Sequence, residues 1–310
     1  MDESTTRELE KLVEDFRAAQ ERGDFTRAEG AAIQSLMAVA AEAQRNPSER
    51  LQRVLEAHEH AAAARWDQAE AAYRQALAAA EAEGKEALIC ESHRQLCGFY
   101  ATQGQAGRAL EEAQAALAAA RKSGLSALLL MALEGLFGCQ LRKCDLASAT
   151  ATAEEAVRVA STETAFDHPR AAALLMRARL RVERGEIAPA EQDLDAAWRI
   201  LAPQAEATFL GGIQNSLANW WEITARIKTW SKDFPGAAQA LGKAVEFRRT
   251  VSHLPQLDGL YKYHWLAEGL QEYGVTLLAA GDVKAATEAF DESRKIQERT
   301  GIAVPPPRAG

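Results

Sequence analysis

The chain has 310 residues, a formal charge of −8 and an apolar content of 47%, enough for one large or two ordinary domains with a real core. The acidic balance argues against general affinity for nucleic acid or anionic membranes, because phosphate binding needs local basicity. No apolar run reaches the roughly 20 residues that cross a bilayer, and the acidic start "MDESTTRELEKLVEDF" lacks the basic and apolar parts of a signal peptide. These features point to the cytoplasm.

Taken in chain order, the predicted elements repeat. Each unit opens with a helix, passes through a short turn and continues into a helix patterned on alanine. The second helices read "GDFTRAEGAAIQSL" (23–36), "RWDQAEAAYRQAL" (65–77), "GQAGRALEEAQAAL" (104–117), "CDLASATATAEEAV" (144–157), "GEIAPAEQDLDAAW" (185–198), "KDFPGAAQALGKAV" (232–245) and "GDVKAATEAFDESR" (281–294). Their anchoring alanines, Ala28, Ala69, Ala109, Ala149, Ala190, Ala237 and Ala286, are spaced by 41, 40, 40, 41, 47 and 49 residues. A period held along the whole chain is the signature of a repeat array. The units are expected at 7–44, 48–84, 87–123, 126–162, 168–202, 205–251 and 255–299, with longer helices in the last two.

The pattern within a unit has a physical reading. Small residues at i and i+7 let neighbouring backbones approach, and the residue at i+4 fills the gap between them. In the second unit Ala69 and Ala76 are the contact points and Tyr73 is the wedge. The turn is often Gly-Asp-aromatic or a close variant: Gly supplies a positive φ at a helix end, and Asp caps the next helix. Period-two runs of β-branched residues are scarce, so sheet is not expected. The C-terminal "IAVPPPRAG" reads as a disordered Pro-rich tail over 301–310.

The array resembles tetratricopeptide repeats. Leu96, Cys97, Tyr100, Ala109 and Ala116 fit that signature in the third unit, and Gly274, Gly281, Ala286 and Phe290 fit it in the last. The resemblance covers residues 7–298 and implies an all-α, right-handed superhelical solenoid of about seven helix-turn-helix units. The period is nearer 40 than 34 and the closing proline is absent, which is similar to kinesin light chains and bacterial regulatory tetratricopeptide proteins. HEAT repeats share the longer period, but their Pro, Asp and Arg landmarks do not recur.

Candidate chemistry is sparse. His58 and His60 lie two apart on a helix, so their side chains diverge and cannot share a metal. Cys90 and Cys97 are seven apart on one helix, about 10 Å along its axis, beyond disulfide reach. Cys139 and Cys144 supply no C-x-x-C hook, and the four cysteines read as small, buried, reduced residues. No phosphate loop or nucleophile elbow is present. The expectation is a protein that is not an enzyme and that takes no cofactor or metal.

The resemblance further implies that the first helix of each unit lines a concave groove where a protein or peptide binds. Its inner position falls on Arg17, His58, Gly98, Gly138, Arg179, Arg226 and Val275, with Arg94, Glu134, Arg142, Glu222, Thr229 and Trp230 nearby. The arginines suit a bidentate carboxylate, so an acidic or C-terminal segment is one expected ligand. The alternative is that they pair with Glu91, Glu134 and Glu222 inside the solenoid. The Lys and Asn set that chaperone-binding relatives use for a terminal carboxylate is not seen. Twelve of the twenty aromatic residues lie between Trp198 and Phe290. Trp220 and Trp221, pointing to different faces, are the other interface candidates, of a residue type enriched at hot spots; the alternative is that the longer helices there need larger packing residues. Three functions follow: a scaffold or adaptor binding a segment in its groove through Arg94, Arg142, Arg179, Arg226 and Trp230; a regulatory peptide sensor whose superhelix changes shape; and self-assembly as a homodimer.

Overall fold

The structure, a computed structural model, describes residues 48–162, 167–204, 211–253 and 261–304. The first unit of the repeat pattern, with Arg17, lies outside them. Twelve α-helices occupy the described residues: α1 (Glu49–Ala62), α2 (Trp66–Glu83), α3 (Glu86–Thr102), α4 (Ala106–Ser123), α5 (Ser126–Arg142), α6 (Leu146–Thr162), α7 (Asp167–Glu183), α8 (Ile187–Leu201), α9 (Gly211–Trp230), α10 (Phe234–His253), α11 (Tyr261–Ala279) and α12 (Val283–Thr300). The chain divides into Met1–Arg53 and Val54–Gly310. Of the first part the described residues are 48–53, where Leu51 N donates to Ser48 Oγ at 3.3 Å. Everything below concerns the second part.

Why these segments stack is visible in the alanine register. Ala69, Ala149, Ala190, Ala237 and Ala286 are fully buried and Ala109 nearly so. Seven residues on, Ala76, Ala116, Ala156, Ala197, Ala244 and Ser293 are buried as well. The even helices therefore meet their neighbours through two small residues two turns apart, and the gaps are filled by Tyr73, Leu194 and Leu241. In the last unit the wedge is Phe290. A Cβ on Gly274 of α11 would come 2.6 Å from its ring, so glycine permits this contact between α11 and α12. One continuous apolar cluster runs from Ala57 to Leu180, and smaller ones continue through Ile223, Leu241 and Ile302.

The turns keep the same period. The residue closing the first helix of each pair is left-handed in all six cases among the described residues: Ala64, Gly104, Cys144, Gly185, Lys232 and Gly281, with φ of 55°, 70°, 57°, 73°, 62° and 87°. Glycine is the expected residue there, and three units use a side chain instead. The following residue caps the second helix where it is Asp: Asp145 accepts from Ser148 N at 3.1 Å, Asp233 from Gly236 N at 2.9 Å and Asp282 from Ala285 N at 3.0 Å. Arg65, Gln105 and Glu186 hold that position in the other units with no side-chain cap.

Consecutive helices pack antiparallel, and the odd helices also touch along the inside: α3 on α5, α5 on α7, α7 on α9. The turn of the solenoid is tight enough that α11 returns to touch α3. The segment after α12 completes this seam. Ala303 N donates to Thr102 O at 2.9 Å, Ile302 is buried, and Gly301 lies against Trp66. The disordered tail expected from residue 301 therefore does not begin there. The apolar Ile302 side chain finds a pocket, and the backbone finds the free carbonyl at the end of α3. Residues 305–310 lie outside the described set. No described helix is long and apolar enough to cross a membrane.

Candidate functional site

The odd helices enclose a cavity of 1290 Å³. The register places each side chain on its wall. His58, Gly98, Gly138, Arg179, Arg226 and Val275 line it, as do Arg94, Glu134, Arg142, Glu222, Thr229 and Trp230. Positions that differ by about one repeat period stack above one another, so residues from six odd-numbered helices meet in one chamber. The glycines leave room: nothing lies within 4 Å of a Cβ placed on Gly138.

The charges on this wall nearly cancel. Six carboxylates (Glu91, Glu134, Glu183, Glu222, Glu268 and Glu272) face five guanidiniums (Arg94, Arg142, Arg179, Arg226 and Arg248). Arg94 pairs with Glu91 at 2.5 Å. Arg142 reaches across the seam from α5 to α11, 3.1 Å from His264 Nε2 and 3.5 Å from Glu268. Arg226 bridges Glu272 at 2.8 Å and Glu183 at 3.4 Å. Arg248, buried, donates to Glu222 at 2.9 Å, to Asn219 at 2.7 Å and to Asn215. Of the two expectations for these arginines, a free stripe or internal pairing, Arg94, Arg142, Arg226 and Arg248 take the second. A low-dielectric chamber makes an unpaired charge costly, and α11 brings the necessary carboxylates.

Arg179 is different. It makes no ion pair among the described residues, and its Nε is sealed from solvent without a hydrogen-bond partner. Burial, and then the Arg226 charge beside it, push its guanidinium below the ordinary arginine value against the pull of Glu222, Glu268 and Glu272. Glu272 responds in the opposite sense. Burial raises its carboxyl, Arg226 opposes this, and the neighbouring carboxylates Glu222 and Glu268 add to the rise. For Glu268 burial is outweighed by Arg142, His264, Arg179 and Arg248, which hold it below the usual carboxylate value. Burial pushes His264 down to about 4, so it is neutral and its Nε2 accepts from Arg142.

The tryptophans separate. Trp230 is 59% exposed at the cavity rim, its indole against Gly185. Trp220 and Trp221 are both half-buried in a packing cluster with Trp198. Trp220 stacks on Trp198 at 4.6 Å and donates to Leu194 O at 3.0 Å. Adjacent residues on a helix diverge by about 100°, yet Trp198 of α8 meets both rings, which also touch each other edge to face at 4.9 Å. Sequence reading also missed the seam residues His264 and Glu268 and the pair Cys97 and Cys139, whose sulfurs lie 3.7 Å apart. The one signal for the cysteines was their separation of 42 residues, close to one repeat period.

Among the described residues no group of three or more His, Cys, Asp or Glu side chains is placed to hold a metal ion. No protein family and no curated protein matches the sequence. Among solved structures the chain is similar to the crystal structure of BtubC (BKLC) from P. vanneervenii. That match has 17% identity, a TM-score of 0.34 and coverage of 100% of this chain and 97% of that one. It is also similar to the nearly identical TPR-like repeats assigned to a kinesin light chain of Podosopora anserina, with 21% identity, a TM-score of 0.39 and coverage of 68% and 95%. Fold assignment rests instead on the packing of this chain: paired helices, alanine contacts at i and i+7 and left-handed turns once per period. By that packing the described helices fit a tetratricopeptide-type α-solenoid.

Proposed function

We propose that the chain is a non-catalytic interaction module that takes a protein or peptide segment into its central cavity, with a carboxylate of that segment on Arg179. The observation that carries this reading is the solitary Arg179 guanidinium in a wall whose other arginines are already neutralised. Arg179 is half-buried with its Nε sealed from solvent and unpartnered, an unfavourable state for a cation, so a ligand carboxylate there gains a charge-assisted contact that no described residue supplies. The chamber exceeds the roughly 300–1,000 Å³ of typical small-molecule sites, which favours a chain segment over a metabolite. Because the wall is nearly neutral overall, the preference is for one positioned carboxylate and not for a uniformly acidic ligand. Trp230 and Val275 at the rim, both exposed, offer apolar contact to the part of the segment that emerges.

A peptide library displayed with free C-termini, panned against the full chain, tests this. Enriched peptides are expected to share a terminal or side-chain carboxylate and to weaken by about 10- to 100-fold against Arg179→Met, the worth of one hydrogen bond to a charged group. Arg294→Met, on the exposed face of α12, should leave binding unchanged. Binding indifferent to Arg179→Met, or no enrichment at all, would overturn the reading.

The seam favours a second reading. Because Ala303 closes onto α3 and α11 onto α5 through a few polar contacts, an occupant that competes for Arg142 or Glu268 would open the ring, as a sensor requires. Small-angle scattering with and without an enriched peptide separates the two: a passive scaffold keeps its radius and a sensor changes it.

A further inference from the structure

Cys97 on α3 and Cys139 on α5 belong to the inner helices of adjacent repeats. Their sulfurs are 3.7 Å apart, both side chains are buried, and both residues line the cavity. The other two thiols are placed differently: Cys90 is fully buried in the core and Cys144 sits exposed at a turn. A disulfide needs sulfurs at about 2.05 Å. The two sulfurs, already in contact across adjacent repeats, must close the remaining gap for the bond to form. Two cations flank the pair one turn away, Arg94 before Cys97 and Arg142 after Cys139, and both face the same cavity.

We propose that Cys97 and Cys139 form a reversible disulfide that staples adjacent repeats from inside the cavity when a hydroperoxide enters it. The Cys139 sulfur is the attacking atom. The hydrogen bond from Cys97, and then Arg142, hold its thiol below the ordinary value against burial, while the same bond and burial push Cys97 up. Cys139 thiolate attacks one peroxide oxygen, the O–O bond breaks, and the departing hydroxide takes a proton to become water, leaving a sulfenic acid. The Cys97 sulfur then attacks that sulfur; the S–S bond forms, the S–O bond breaks, and the leaving hydroxide carries off the Cys97 proton as a second water. Two thiols and one hydrogen peroxide give one disulfide and two waters. Each sulfur loses one electron and the two peroxide oxygens gain them. A dithiol reductant reverses the product by exchange. The cross-link ties α3 to α5 and with them the local pitch of the solenoid, next to Arg142 and its seam.

The test uses the full chain with Cys90→Ser/Cys144→Ser, which leaves the two cavity thiols, beside the wild type. Hydrogen peroxide at a small molar excess, followed by thiol blocking and digestion, should give a Cys97–Cys139 linked peptide and a mass lower by about 2 Da per bond. Free thiols should fall from two to none, and dithiothreitol should restore them. The native protein should cross-link at least about tenfold faster than the same protein in urea, because the fold has already closed the loop, and its Tm should rise by on the order of 5 °C. Cys97→Ser should instead trap Cys139 as a dimedone-reactive sulfenic acid. Should that variant fail to fold, the linkage map of the wild type decides alone. Native cross-linking no faster than in urea, peroxide consumed at Cys144 without the linked peptide, or a different cysteine pairing would each overturn the proposal.

Discussion

Replacing Cys144 and Lys232 by glycine should stabilise the solenoid, although both substitutions remove a side chain. Both residues are exposed and sit at φ of 57° and 62°, where an L side chain costs roughly 1–2 kcal/mol. Their backbone N–H groups donate to Leu141 O at 3.0 Å and Thr229 O at 2.9 Å, bonds that glycine keeps. Against that relief stands the larger entropy of an unfolded chain containing glycine, roughly 0.5–1 kcal/mol. The net gain is about 0.5–1 kcal/mol per site. The two turns lie in different repeats and should add, giving about 1–2 kcal/mol and a Tm higher by about 3–6 °C for a chain of this size. Urea unfolding followed by far-UV circular dichroism measures it, with the Cys144→Gly/Lys232→Gly variant beside Gly281→Ala. Gly281 has φ of 87° and nothing within 4 Å of its absent Cβ, so alanine there should cost about 1 kcal/mol through backbone strain alone. A double variant no more stable than wild type, together with a neutral Gly281→Ala, would refute the strain argument.

Other expectations follow from the core and the seam. The folded His264 value of about 4 lies below its usual 6.5, so the fold favours the neutral ring. Its contribution is complete above pH 6.5 and is lost as pH falls towards 4, about 3 kcal/mol in all and about 2 kcal/mol by pH 5; His264→Gln should flatten the fall in urea midpoint between pH 7 and 5. Ile302→Ala should cost about 2–4 kcal/mol and speed hydrogen exchange of the Ala303 amide, whereas unchanged exchange would mean the seam is held elsewhere. Ala149→Leu, at a fully buried helix contact, should cost about 1–3 kcal/mol by overpacking, read as a lower urea midpoint. The equivalent change at the exposed Ala151 should be near neutral.

The helix pairs were legible because their determinants are local or one repeat apart. Ala69 and Ala76 are small because a neighbouring helix must lie on them, and that requirement recurs at Ala109 and Ala116 and again at Ala149 and Ala156. Arg179, Arg226 and Trp230, inner positions of the same register, line the cavity. Pairing was less legible. Arg94 meets Glu91 within its own helix at i,i+3, a contact that can be read from spacing, but Arg142 meets His264 122 residues away. Adjacency on a helix sets where the Trp220 and Trp221 indoles start; that both meet Trp198 depends on how α8 approaches α9.

Sequence alone determined that the chain is an α-solenoid with a forty-residue period, since each unit needs only its neighbours to bury its apolar face. Whether that solenoid closes was decided by tertiary structure. Curvature accumulates as a small rotation per repeat, set by how far each alanine contact lets two helices approach, and no single unit records the sum. Only after five such steps from α1 and α2 does α11 arrive at α3. The seam, the contacts of Arg142 with His264 and Glu268 and the Arg226–Glu272 bridge follow from that arrival.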